Sequence, residues 1–270
     1  MKKLALIFSV LTIALVSCKK DDTTPDPTPT TTPTPTPTPS PYVTLGTATT
    51  SNNETVTLLA DDSLTVGYTR LYVTVKDANG NDMTSATVDF AALMDMGMMQ
   101  HACPIEQPGY NATSEMYEGA LVFIMSSASG TWTLDVNVNG NPASFTLNVN
   151  DAPTGIKDVG SYTGTDGNTY FVSFKRPNDW QVGMNDFEIL IHKKTSMMSF
   201  PADDSFDITF EPIMTSMGHS STGNVDPVNT SNGHYIGQVN LSMAGDWRFH
   251  FDLQQGGTSI VGDATLDILF

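Results

Sequence analysis

Gly130-Thr131-Trp132-Thr133-Leu134-Asp135-Val136-Asn137-Val138 and Gly245-Asp246-Trp247-Arg248-Phe249-His250-Phe251-Asp252-Leu253 are the stretches that decide the fold. In both, a Gly-x-Trp start leads into apolar residues that alternate with polar ones. A period of two is the mark of a strand with one face in a core. The pair is separated by about 115 residues, and segments upstream match at nearly the same shift, so the repeat is a domain duplication. Val66 to Val73 lines up with Val182 to Ile189, and Ala86 to Phe90 with Ser205 to Phe210. Met116-Tyr117-Glu118-Gly119 through Met125 aligns without a gap on His234-Tyr235-Ile236-Gly237 through Met243.

Turn signals at Asn79-Gly80, Asn139-Gly140 and Gly256-Gly257 separate short strands, and nothing after the N-terminal segment sustains a helical apolar period. About seven strands in roughly 110 residues predict a sandwich. The expected fold is therefore all-β, with two tandem immunoglobulin-like β-sandwich domains over residues 42–152 and 153–270.

The N-terminus carries Lys2 and Lys3, an apolar run from Leu4 to Val16, and Leu15-Val16-Ser17-Cys18. That run is too short to span a bilayer and has the proportions of a signal peptide. The tetrapeptide resembles the lipobox of bacterial lipoproteins, which implies cleavage after residue 17 and lipidation, such as palmitoylation, of Cys18. Residues 18–41 then form a lipid anchor and linker. From Thr23 to Pro41 proline recurs at nearly every second position, which favours an extended spacer of roughly 3 Å per residue. Lys19-Lys20-Asp21-Asp22 is similar to the export tags of surface-exposed lipoproteins. The expected location is the outer membrane or cell surface, with the membrane as a partner through Cys18.

The net charge of −17 argues against nucleic acid, whose phosphates need clustered Lys and Arg. Once Cys18 is lipidated only Cys103 remains, so no disulfide within the chain is expected and the cores must hold the fold. No nucleophile and base, paired-carboxylate motif, phosphate-cradling glycine loop or zinc-protease helix is found, and the chain reads as not an enzyme.

Two methionine-rich loops carry the remaining chemistry. The first runs Met94-Asp95-Met96-Gly97-Met98-Met99-Gln100-His101-Ala102-Cys103-Pro104, and the second Met214-Thr215-Ser216-Met217-Gly218-His219. Thioether, thiol and imidazole together suit Cu(I). Strand parity places Met125 and Met243 in the core and puts Met116 and His234 at a hairpin mouth beside Met94 and Met214. The candidate copper ligands are Met94, Met96, Met98, His101, Cys103 and Met116 in one copy and Met214, Met217, His219 and His234 in the other. His250 is expected to point into solvent, and His192 and Met197-Met198 to lie in a surface hairpin. Asp77-Ala78-Asn79-Gly80-Asn81-Asp82 lacks the glutamate of a calcium loop and fits a turn.

The order Met-x-x-Met-Gly-His, Gly-x-Tyr-x-Gly, a strand ending in Met and then Gly-x-Trp resembles the YtkA-like (FixH-related) domain of bacterial envelope proteins. The likeness covers Met214 to Leu253 well and Met94 to Val138 more loosely. It implies an extracytoplasmic β-sandwich and a copper-handling or other envelope partner. Two functions follow: a membrane-anchored lipoprotein that binds copper(I) through Met/His loops, or a structural or protein-interaction module whose methionines are apolar contact surfaces. Small-molecule or glycan binding is a third. Cys18→Ala is expected to release the protein from the membrane fraction; an unmodified Cys18 in the mature wild-type chain, by mass spectrometry, would remove the anchor.

Overall fold

The computed structural model describes residues 41–175 and 179–270. The signal peptide, Cys18 and nearly all of the Pro/Thr tract lie outside the described residues. In the first half the strands are β1 (Val43–Thr49), β2 (Thr55–Ala60), β3 (Gly67–Lys76), β4 (Val88–Asp95), β5 (Gln100–His101), β6 (Ile105–Asn111), β7 (Met116–Phe123), β8 (Thr131–Val138) and β9 (Asn141–Leu147). The second half repeats them as β10 (Val159–Thr163), β11 (Thr169–Phe174), β12 (Gly183–Lys194), β13 (Asp207–Met214), β14 (His219–Ser220), β15 (Val225–Ser231), β16 (His234–Leu241), β17 (Asp246–Gln255) and β18 (Thr258–Leu269).

The sheets repeat as well. Each half has a five-stranded sheet, β1-β2-β3-β7-β6 or β10-β11-β12-β16-β15, and a four-stranded one, β5-β4-β8-β9 or β14-β13-β17-β18. Alternate residues of facing sheets fill one core per half: Leu71, Val73, Leu121, Phe123, Trp132 and Leu134 in the first, Phe187, Ile189, Val239, Trp247, Phe249 and Phe251 in the second. Two immunoglobulin-like sandwiches result, as the period-two pattern requires.

The shared motifs are packing devices. Tyr117 accepts the Ala86 N–H at 2.8 Å and donates to the Met83 carbonyl at 2.9 Å. Its counterpart Tyr235 accepts from Phe206 N–H and donates to the Asp203 carbonyl. Each tyrosine thereby pins the segment entering the four-stranded sheet. The glycine two residues later answers a different need, because the neighbouring edge strand bulges inward between Glu106 and Gly109, and between Val225 and Val228. A Cβ on Gly119 would sit 2.8 Å from both the Glu106 carbonyl and the Phe90 ring, and one on Gly237 would sit 2.8 Å from the Phe187 ring. Hence Tyr-x-Gly.

Other expectations divide. Asp77 accepts the N–H groups of Asn79 and Asn81, so its segment is a turn. His250 points outward, paired with Asp263 at 2.7 Å. Met125 and Met243 are not core residues: β7 ends at Phe123 and β16 at Leu241, so parity no longer applies, and Met243 is 37% exposed. His192 is not on the surface. It is 4% exposed, between the two sandwiches.

Trp132 and Trp247 are 0% and 1% exposed. Trp132→Ala and Trp247→Ala are each expected to cost about 3–5 kcal/mol, the usual cost of emptying a core aromatic site, measurable as a lower denaturant midpoint with an unchanged slope.

Candidate functional site

The two methionine loops start from one repeated corner. Met94 closes β4 opposite Trp132, and Met214 closes β13 opposite Trp247. The short strands β5 and β14 fold back so that His101 pairs with Met94 and His219 with Met214. Each imidazole lies edge-on to the same tryptophan, at 5.5 Å and 85° for His101 and 5.6 Å and 82° for His219. The indole N–H donates to the Met125 carbonyl at 2.9 Å in one corner and to the Met243 carbonyl at 3.0 Å in the other. A Cβ on Gly130 would run into the Asp95 backbone carbonyl, and one on Gly245, whose φ is +142°, into the Met214 methyl group, which explains the glycine of Gly-x-Trp.

These contacts use several of the expected ligands for packing. Met94 and Met214 belong to the hydrophobic cores. His101 is buried, its Nδ1 2.7 Å from the Ala102 carbonyl, and its Nε2 has no partner among the described residues. Cys103 is buried, and that burial pushes its thiol far above the usual range, so the thiolate needed for metal binding is disfavoured. Met96 packs against the first core, while Met98, Met99 and Met217 are exposed at the loop tips.

Met116 and His234 are not beside Met94 and Met214, which corrects the hairpin-mouth expectation. They start β7 and β16, whose opposite ends reach the tryptophans. The separation is the length of the strand, about 20 Å at roughly 3.3 Å per residue. Among the described residues no group of three or more His, Cys, Asp or Glu is placed to hold a metal ion.

His234 instead joins the two sandwiches. Its Nδ1 is hydrogen-bonded to Glu188 Oε1 of the second sandwich at 2.5 Å, and its Nε2 lies 2.6 Å from Glu106 Oε1 of the first, an ion-pair distance without hydrogen-bond alignment. Tyr68 donates to Glu106 Oε2 at 2.8 Å, and Lys175 Nζ lies 2.9 Å from Glu188 Oε2. The close approach of Glu106 and then of Glu188 raises the His234 ring to about 9, against the opposing effect of burial. Burial pushes both glutamates up, but the His234 ring against each of them, with Tyr68 on Glu106 and Lys175 on Glu188, outweighs it and holds both carboxyls below the usual range. Beside this cluster, burial drives the His192 ring down to about 4. His192 stays neutral next to a charged His234.

Apolar contacts complete the joint. Tyr68, Ala120 and Val122 pack on Leu190, and Ala102 packs on Phe171 and Phe200. The Ala102 N–H donates to the Met197 carbonyl at 2.9 Å. Glu106, Glu188, Tyr68 and Lys175 carry no motif, so sequence reading missed them. A usable signal was present: Ala120-Leu121-Val122-Phe123-Ile124 and Ile189-Leu190-Ile191 are continuous apolar runs, the pattern of strands covered on both faces.

No family model and no curated protein matches the chain. Among solved structures, the Escherichia coli adhesin FdeC aligns at 16% identity and a TM-score of 0.30, over 82% of this chain and 66% of that one. A chimeric titin Z1Z2-Z1Z2 tandem aligns at 14% identity and a TM-score of 0.22, over 84% and 96%. The titin tandem A164-A165 aligns at 9% and 0.20, over 77% and 90%. The chain therefore spans just under two thirds of the adhesin structure.

Cys103 is expected to resist alkylation by iodoacetamide in the native protein at mildly alkaline pH and to react fully after denaturation. Rapid native labelling would mean that its loop opens and that the thiol is available as a ligand after all.

Proposed function

We propose that this chain is a non-enzymatic, lipid-anchored envelope protein whose paired immunoglobulin-like sandwiches form a protein-interaction module. One observation carries the reading: the methionine loops divide into a packed base and an exposed tip. Met94, Met214, His101 and Cys103 are buried, while Met98, Met99, Met217 and Met198 stand in solvent. His101 and His219 do lie across from Met94 and Met214, but as packed neighbours of the tryptophans, which supports apolar packing at the base and leaves the exposed thioethers for contact. Exposed methionines are long, unbranched and polarizable, which suits an adaptable apolar contact with another protein.

The tips have a firm footing. Met98 and Met99 leave the corner on β4 and β5, Met217 leaves the equivalent corner, and Met198 tops the hairpin that bonds Ala102 through Met197. Flexible side chains on a rigid base lose little backbone entropy on binding. No helix among the described residues is long and apolar enough to cross a membrane. Attachment through Cys18 and the Pro/Thr spacer would supply the membrane link and hold the sandwiches at a distance from it.

Photo-methionine incorporated in cells should crosslink the chain to a discrete envelope partner. Serine at Met98, Met99, Met198 and Met217 should abolish that band without lowering thermal stability. The reading is overturned if the crosslinks persist in the quadruple variant, or if the wild-type chain holds stoichiometric Cu(I) against a chelator and loses it on His101→Ala or His219→Ala.

A further inference from the structure

The joint between the sandwiches has a chemistry that neither core has. Its apolar contacts are few, and beside them lies a cavity of about 450 Å³ lined by Glu106, Gln107, His192, Phe200, Asn232 and His234, among others. His234 sits at its edge with both ring nitrogens against carboxylates on opposite sides of the joint. Only an imidazolium has two N–H donors; a neutral ring has one donor and one lone pair. With a neutral ring, one of the two glutamates would face a lone pair.

The surrounding groups decide which one. From the second sandwich, Lys175 contacts Glu188 directly, and Asp204 is held by the N–H groups of Asn232 and Gly233. From the first, among the described residues, Glu106 keeps the hydrogen bond of the Tyr68 hydroxyl, whose proton is held far above the usual phenol range by burial and then by Glu106 itself. Arg70, on the strand of Tyr68, is committed to the Tyr72 hydroxyl at 3.2 Å. His192, beside the pair, is neutral, and its buried Nδ1 has no partner among the described residues. Among the described residues, the Lys175 charge also bears on Glu106, but no cation other than His234 touches it. Glu188 still has Lys175.

We propose that the joint is a proton-dependent clasp: doubly protonated His234 ties Glu106 of the first sandwich to Glu188 of the second and fixes their angle, and loss of one ring proton releases the first sandwich. This concerns contacts within the chain and stands whether or not the methionine tips bind a partner. The direction follows from linkage. A ring raised to about 9 from 6.5 contributes its full stabilisation below 6.5 and loses it as pH rises through about 9. The lowered glutamates contribute above the ordinary carboxylate range and fail only as pH falls beneath it. The joint is therefore tightest in mildly acidic solution, weakens through neutrality and opens in alkali.

Two NMR measurements on the full chain test this. The imidazole carbon–proton shifts of His234 should titrate near pH 9, and in Glu106→Gln the midpoint should fall toward the ordinary 6.5. Methyl residual dipolar couplings should fit one alignment tensor for both sandwiches at about pH 6 and require two at about pH 10. His234→Gln should require two tensors already at the lower pH, while His192→Asn should retain the wild-type response. One tensor at both pH values, or one in His234→Gln and Glu106→Gln alike, would overturn the clasp, as would a wild-type midpoint near 6.5.

Discussion

Each sandwich depends on one tryptophan. Trp132 and Trp247 start the strand that runs through the middle of the four-stranded sheet, and each is held from three sides: by a strand-end carbonyl on its indole N–H, a histidine edge on its ring and a methionine opposite it. An indole is too large and too polar to bury without a partner for its nitrogen. The carbonyls of Met125 and Met243 supply that partner, so the backbone must turn at those residues rather than continue as strand. β7 and β16 end two residues before those carbonyls, and the methionine loops leave from the same corner.

How much of this was legible depended on whether the cause was local. Alternation in Thr131 to Val138 and Asp246 to Leu253 reports a local condition, one face in and one out, and the strands follow it. The repeated Tyr-x-Gly and Gly-x-Trp were readable as a duplication. Their meaning was not, because it lies in atoms brought from elsewhere: the Glu106 carbonyl over Gly119 and the Asp95 carbonyl against Gly130. The placement of Met116 and His234 went furthest from the geometry because residue type was allowed to stand for position. Met116 and His234 share a chemistry with Met94 and Met214 but start the strands whose far ends reach the corner.

The joint marks the other limit. Continuous apolar runs in β7 and β12 announced that a second layer covers them, but not which layer. The sandwiches of tandem immunoglobulin-like chains are often joined by little more than a linker, and their relative motion is then the default. Here Tyr68, Ala120 and Val122 meet Leu190 while a histidine bridges two carboxylates. The contacts between the sandwiches are thereby made by groups that belong to neither core.

The bulges in β6 and β15 have a consequence beyond the glycines they press upon. Both strands are the outer edges of five-stranded sheets, and each bulge contains a proline, Pro108 in one and Pro227 in the other. Proline has no N–H to offer a neighbouring strand, and a bulge twists the edge out of the flat register that edge-to-edge pairing requires. Such edges suppress self-association. The duplication copied this safeguard along with the fold, so each sandwich carries its own protection against aggregating with its neighbours.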